Sequence, residues 1–122
     1  MCKILLSINP EHVQNILNGT KLFEFRKIRC KTDVDKIVIY ATYPVMKIVA
    51  EVDVEKIIEG SLNKVWEQTK NFSGISRSFY DKYYNGKNKA VAYKLGNVKK
   101  FKRQKLLSFY GLRNAPQSFV YL

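Results

Sequence analysis

Short strand-like segments, separated by helix-capping and turn residues, restrict the fold of this chain more than any other feature of its sequence. Residues 4–8 and 36–41 are apolar runs, and residues 46–55 alternate between apolar and charged side chains. An unbroken apolar run is typical of a strand covered on both faces, so residues 36–41 are predicted to form a central strand. The alternating segment predicts a long strand with one exposed face. Two further strands are predicted at residues 90–94 and 106–110.

Three segments combine a capping residue with apolar residues at helical spacing. Asn9 and Pro10 predict the start of a first helix, which residues 18–19 would end. Ser61 and Ser76 are the predicted N-caps of two more helices. Five or six short strands with helices inserted between them, in 122 residues, predict an α+β fold built on a small, mostly antiparallel β-barrel.

The chain is strongly basic, with 22 lysine and arginine residues against 10 acidic ones and a formal net charge of +12. Every acidic residue lies between residues 11 and 81, so the last third of the chain carries basic side chains and no carboxylate side chain. Such a charge attracts polyanions, and nucleic acid is the first partner to expect. Aromatic residues are interleaved with these cations, as in surfaces that bind single strands. The predicted phosphate contacts are Lys99, Lys100, Lys102 and Arg103.

Several classes of protein are not supported. The longest uncharged stretch, residues 37–46, is far shorter than the roughly 20 apolar residues of a membrane span, and the first residues lack a signal-peptide pattern, so a cytoplasmic location is expected. Only two cysteines, Cys2 and Cys30, are present, which argues against a disulfide scaffold and a zinc site. The single histidine, His12, excludes a histidine metal cluster, and it is predicted to lie on a surface helix without a catalytic role. No phosphate-binding loop or dinucleotide fingerprint is present, so no cofactor is expected.

The most informative segment is residues 19–26, in which a helix stop is followed by a strand dense in charge. On a regular strand over residues 21–27, Glu24 and Arg26 share a face about 6.6 to 6.8 Å apart, close enough for their side chains to pair. Lys21 has the opposite parity, and it joins them only if it lies in the turn before the strand or at a bulge. Otherwise the segment is a solvated face with one ion pair, worth about 0 to 1 kcal/mol.

Through residues 4–27 the sequence resembles the ASCH domains of the PUA-like superfamily, which show a strand, a helix and a G-x-K-x-x-E-x-R signature. The signature positions are filled here by Gly19, Lys21, Glu24 and Arg26. Residues 38–54 and the end of the chain also look like small prokaryotic or phage-type ASCH proteins, so a single ASCH domain is expected over residues 1–122. The resemblance implies a PUA-like β-barrel with short helices at its rim. It also implies a cleft, between the barrel and the first helix, that holds RNA or a nucleobase.

In such a domain the signature lysine and arginine face the cleft. Arg26 would offer a planar fork to a phosphate or a base edge, Lys21 a mobile charge, and Glu24 a carboxylate that orients both or accepts from an exocyclic amine. Tyr43, at a strand junction, is a candidate for shaping the same pocket. We therefore predict a module that binds RNA or single strands, recognises a base or modified nucleotide in the cleft, and works without turnover.

A hydrolase is the main alternative. Some ASCH proteins remove the acetyl group from acetylated cytidine with a lysine, a threonine and a glutamate. Lys21 matches the lysine, Glu24 occupies the threonine position, and Glu67 is a candidate for the glutamate. In such an enzyme Lys21 and Glu24 would be catalytic. A carboxylate beside Lys21 would keep its amine protonated and favour binding over base catalysis, unless Glu24 forms its ion pair with Arg26 instead.

A third hypothesis is a basic accessory protein bound to the ribosome or another complex, in which the cleft has no role. It predicts that substitutions in the cleft leave binding unchanged. The sequence leaves open which base is recognised, whether RNA or DNA is preferred, and the oligomeric state.

Overall fold

A single six-stranded sheet forms the centre of the computed structural model, which describes residues 2–30 and 33–122. Its strands are β1 (Lys3–Ile8), β2 (Phe23–Arg26), β3 (Lys36–Ala41), β4 (Lys47–Ser61), β5 (Lys89–Lys105) and β6 (Phe119–Tyr121). They lie in the order β2-β5-β4-β3-β1-β6, and every neighbouring pair is antiparallel except β1 with β3. The sheet curls into a partial barrel, so the predicted α+β fold is confirmed.

Three short α-helices are inserted between the strands in the described part of the chain. They are α1 (Pro10–Leu17), α2 (Leu62–Thr69) and α3 (Arg77–Tyr83). The predicted N-caps are confirmed, because the side-chain oxygens of Asn9, Ser61 and Ser76 accept hydrogen bonds from main-chain amides at 2.8, 3.3 and 3.1 Å. These bonds satisfy amides that a first helical turn leaves without partners. None of the described helices is long and apolar enough to cross a membrane.

The strands differ in length from their predictions. β3 is almost fully buried between β4 and β1, as its apolar run predicts. β4 has 15 residues and β5 has 17, so both extend well beyond the predicted segments. The second half of β5 is mostly exposed on both faces, and it therefore lacks the alternation of apolar and polar residues on which a strand prediction depends. The basic residues 99–105 lie on this half of the strand.

The strand predicted at residues 106–110 is wrong, because Leu107–Tyr110 is a short 3-10 helix. Leu107 and Tyr110, three residues apart, pack against an apolar cluster on the sheet, whereas Phe109 between them is exposed. A spacing of three residues per contact is the period of a 3-10 helix and not that of a strand.

Two apolar clusters hold the helices against the sheet. Val13 and Ile16 of α1 pack into the larger cluster with β1, β3 and β4. Tyr80 of α3 packs with Phe25 of β2 in the second cluster, which also contains Val65 of α2. Full burial of one such aliphatic side chain contributes about 1.5 to 3 kcal/mol. The edge strand β2 is therefore held against the helix α3.

Candidate functional site

A cavity of about 190 Å³ lies where β2 meets α1, α3 and the end of β1, and we call it the Lys21 cavity. One group of lining residues is polar and consists of Ser7, Asn9, His12, Lys21, Glu24 and Arg26. The other group is apolar or aromatic and consists of Ile8, Phe25, Ile75, Phe79 and Tyr83. The three charged residues predicted for the cleft, Lys21, Glu24 and Arg26, thus share one cavity.

Lys21 lies in the turn before β2, which begins only at Phe23. The main-chain amides of Thr20 and Lys21 both donate to the carbonyl of Asn15 at 3.0 Å, and this ties the turn to α1. Lys21 therefore lies outside the regular strand, which was the condition for its side chain to reach the same cavity as Glu24. In a regular strand, alternation would point the two side chains to opposite faces.

The amine of Lys21 is buried, since the residue is only 2% exposed. Its Nζ donates a hydrogen bond of 2.7 Å to the carbonyl of Ser73 and lies 5.0 Å from the centre of the Phe25 ring. Burial lowers the pKa of Lys21 below its ordinary value near 10.5, because the surroundings solvate the ammonium poorly. Glu24 opposes this lowering of the pKa, and Arg26 adds to it.

Glu24 is engaged by Arg26. The Nε and Nη2 atoms of Arg26 lie 3.0 and 2.9 Å from Oε2 of Glu24, and Nη2 also donates to the carbonyl of Ser7 at 2.8 Å. Both side chains are largely buried. Among the described residues, Arg26 pairs with the carboxylate of Glu24 and Lys21 forms no salt bridge. The amine of Lys21 donates instead to the neutral carbonyl of Ser73.

His12 also lines the cavity, whereas a position on the surface of the helix was predicted. Its ring packs edge-on against Phe79, with the ring centres 5.4 Å apart. Its Nδ1 is buried and has no hydrogen-bond partner among the residues described. Burial lowers the pKa of His12, and the charge of Lys21 lowers that pKa further. The one sequence signal for this placement is the spacing of four residues from Ile16, which is buried on the same face of α1.

The opposite wall comes from a distant part of the chain that the sequence analysis did not assign to the site. Ile75, Phe79 and Tyr83 recur every four residues and line the cavity together. Burial raises the pKa of the Tyr83 phenol above its ordinary value. The spacing of four residues was visible in the sequence, but it equally fits packing against a core.

Comparison with known proteins identifies the family to which this chain belongs. A family model of the ASCH domain matches residues 6–102, which contain the whole signature of residues 19–26. The chain belongs to the ASCH domain family. An ASCH domain-containing ribonuclease of Zymomonas mobilis subsp. mobilis is 30% identical over 122 residues, which cover 97% of this chain and 82% of that protein.

The fold comparison agrees with this assignment. The crystal structure of ASCH from Zymomonas mobilis matches this ASCH chain with a TM-score of 0.89 at 28% identity, covering 98% of this chain and 87% of that one. The partial barrel with helices around it is therefore the ASCH fold that the resemblance implied.

Two longer proteins contain a segment similar to this ASCH chain. They are large ribosomal subunit protein uL22 and ATP synthase subunit alpha of Ureaplasma parvum serovar 3, each 32% identical over 120 residues, or 98% of this chain. The chain spans 39% of the length of the first and 15% of the second. The similarity therefore concerns one segment of each of these proteins.

Other predicted site residues lie away from the ASCH signature. Tyr43 is 81% exposed in the turn between β3 and β4 and does not line the Lys21 cavity. Glu67 is exposed on α2, where it accepts a hydrogen bond of 2.8 Å from Lys70. Exposed positions on β5 are occupied by Lys99, Lys100, Lys102 and Arg103. Nowhere in residues 2–30 and 33–122 do three or more His, Cys, Asp or Glu side chains come together as they would around a metal ion.

Replacing Glu24 by glutamine is expected to lower the pKa of Lys21 further. The carboxylate is the nearby group that raises this pKa, and glutamine removes its charge with little change in shape. Titration of the Lys21 Cε signal by NMR measures the shift. Glu55→Gln, which removes an exposed carboxylate 3.6 Å from Lys94, is the control and should leave the Lys21 titration unchanged. A higher pKa in Glu24→Gln would contradict the proposed balance of charges.

Proposed function

We propose that this ASCH domain binds RNA and holds one unpaired nucleotide in the Lys21 cavity. The relative from Zymomonas is named a ribonuclease, which supports RNA as the partner. A net charge of +12 supports a polyanionic ligand. The observation that carries the proposal is the convergence of Lys21, Glu24 and Arg26 in one cavity, because a solvated strand face would leave them apart and exposed.

The walls of the cavity suit a nucleobase. Aromatic rings such as that of Phe79 provide a stacking surface, which is how unpaired RNA bases are commonly bound. Oε1 of Glu24 has no hydrogen-bond partner among the residues that the structure describes, so it is free to accept from an exocyclic amine. Nδ1 of His12 likewise has no partner in the described part of the chain. Pockets for drug-sized ligands occupy about 300 to 1,000 Å³, so this smaller cavity fits a single ring system.

The test is the binding of a short single-stranded RNA to Lys21→Met, measured by fluorescence anisotropy at two salt concentrations. Methionine keeps the unbranched shape but removes the amine, and loss of a charged hydrogen bond of about 1.5 to 3 kcal/mol weakens binding about 10- to 100-fold. Lys64→Met, on an exposed position of α2, removes the same charge away from the cavity. Equal affinities of the two variants would support the accessory-protein hypothesis instead.

Hydrolysis at the same cavity is a second candidate function, and the state of Lys21 favours it. A lysine acts as a general base only when its pKa is depressed, and burial without a carboxylate partner provides this. In RNA cleavage the amine would take the proton of a ribose 2′-hydroxyl while the 2′-oxygen attacks the neighbouring phosphorus. The 5′-oxygen then leaves with a proton from solvent.

Deacetylation of acetylated cytidine would use the same amine, but the candidate glutamate, Glu67, lies outside the cavity lining. Both reactions are tested by product analysis on the RNA oligonucleotide and on acetylcytidine. Cleavage through Lys21 requires a rate that rises with pH through the lowered pKa of the lysine, because the unprotonated amine is the active form. A 2′-deoxy substitution at the cleaved position should stop RNA cleavage. Absence of both products would leave the binding function alone.

A further inference from the structure

A second cavity, of about 200 Å³, lies on the other side of α1, between this helix and the outer half of β5. We call it the β5 cavity. Val13 and Leu17 form part of its apolar wall, and Lys100 and Gln104 of β5 supply polar groups. A nucleotide site offers a cation to the phosphate, a polar group to the base edge and an apolar surface to the base face. In the β5 cavity these are Lys100, Gln104 and the apolar wall.

The first turn of α1 separates the two cavities. Asn9 and His12 line the Lys21 cavity, while their neighbours Pro10 and Val13 line the β5 cavity. A helix with its side chains is about 10 to 12 Å across, so ligand groups in the two cavities are separated by no more than this single turn. A strand that leaves one cavity over the turn therefore reaches the other directly.

The cations of β5 are divided between the two faces of the sheet. Lys100 pairs with Ala50, whose side chain packs in the cluster that contains α1. Lys99 pairs with Glu51, which forms a salt bridge to Lys3. Because successive side chains of a strand point to opposite faces, Lys100 lies on the face of the sheet that packs against α1, which we call the α1 face, and Lys99 lies on the opposite face.

The α1 face is also the face of the ASCH signature. Glu24 pairs with Tyr93 across β2 and β5, and Arg26 pairs with Val91. Tyr93 and Val91 belong to the same apolar cluster as α1. Lys100 therefore lies on the side of the sheet that carries the Lys21 cavity, whereas Lys99 does not.

We infer that the β5 cavity is a second nucleotide site, so that an RNA strand held in the Lys21 cavity crosses the first turn of α1 and places a neighbouring nucleotide beside Lys100 and Gln104. This inference rests on the proposed function, because the strand is anchored in the Lys21 cavity. Lys100 neutralises one of its phosphates, and Lys99 is not in contact with it.

Two charge-matched variants test this path by RNA binding at several salt concentrations. Lys100→Ala removes one phosphate contact, and single-stranded binding loses about 0.7 of salt slope per contact, so the slope should become shallower by about 0.7. Lys99→Ala removes the same charge from the same strand and should leave the slope nearly unchanged. Equal changes in the two variants would overturn the second site.

Glu11→Gln provides a gain of affinity that misfolding does not produce. Glu11 is exposed in the turn that the strand would cross, where its carboxylate repels a phosphate. Its removal should strengthen oligonucleotide binding about 2- to 5-fold, as expected for one exposed charge pair, and leave the affinity for a nucleoside without phosphate unchanged. No gain for the oligonucleotide would contradict the path over α1.

Lys21→Met in the same assay separates the two proposals. If it weakens binding while Lys100→Ala and Lys99→Ala behave alike, the second site is wrong and the proposed function stands. If it binds RNA as the wild type does, the proposed function is overturned together with the path that depends on it.

Discussion

Gly74→Ala is expected to lower the free energy of unfolding by about 2 to 5 kcal/mol and to displace Lys21 from its cavity. Gly74 has a φ of +72°, a conformation that costs an L-residue about 1 to 2 kcal/mol. A Cβ at this position would also lie 2.6 Å from both Cβ and Cγ of Lys21. Overpacking of this kind adds about 1 to 3 kcal/mol. Denaturant unfolding measures the loss of stability, and RNA binding measures the displacement.

Two further variants separate these causes. Gly86→Ala has a similar φ, +80°, but its added Cβ meets no atom of the described residues within 4 Å, so it should show the conformational cost alone. In a Lys21→Gly background the clash with the lysine stem is absent, and Gly74→Ala should then cost about 1 to 3 kcal/mol less than in the wild type. Strictly additive effects of Lys21→Gly and Gly74→Ala would refute a direct contact between the two positions.

Arg26→Met is expected to abolish RNA binding and to destabilise the protein by about 3 kcal/mol. It leaves the carboxylate of Glu24 without its partner in a largely buried position, and breaking a buried ion pair from one side costs about 3 to 5 kcal/mol. It also raises the pKa of Lys21, because Arg26 is one of the groups that lower this pKa. The amine would then pair with Glu24 instead of a ligand.

A double variant distinguishes lost function from lost stability. Glu24→Leu/Arg26→Met replaces both charges by apolar groups of similar size, which should recover most of the stability. RNA binding should stay absent, since neither the guanidinium nor the carboxylate is restored. Recovery of binding in the double variant would show that the pair supports the fold and does not contact RNA.

The sequence predicted those parts of the site that depend on local periodicity. A period of two residues was enough to place Glu24 and Arg26 on one face. The strand was predicted to begin at Lys21, and a turn at this residue was one of two alternatives that the sequence left open. The role of Ser73 was not predictable in this way, because its carbonyl approaches Lys21 from 52 positions away. Which faces of distant helices meet is decided by packing in three dimensions.

The same limit explains why the sequence did not predict on which face of the sheet each basic residue of the last third lies. The sequence predicted its cations as one group because it assigned no strand to residues 99–105. Once these residues lie on β5, the alternation of the strand separates Lys100 from its neighbour Lys99. Tyr43 was proposed from its place at a strand junction, and that place alone does not determine whether a ring turns toward a cavity or into solvent.

The hydrogen bond from Lys21 to Ser73 shows that the ASCH motif alone does not determine the chemistry of its lysine. A peptide of residues 4–27 would contain every letter of the signature, with Glu24 and Arg26 still neighbours along an extended backbone. It would lack the Ser73 carbonyl and the wall of α3, so its lysine would be surrounded by water and would titrate like any free lysine. The lowered pKa of the Lys21 amine therefore arises only when the fold brings Ser73 and α3 to the motif. The motif by itself marks the position of this amine in the sequence.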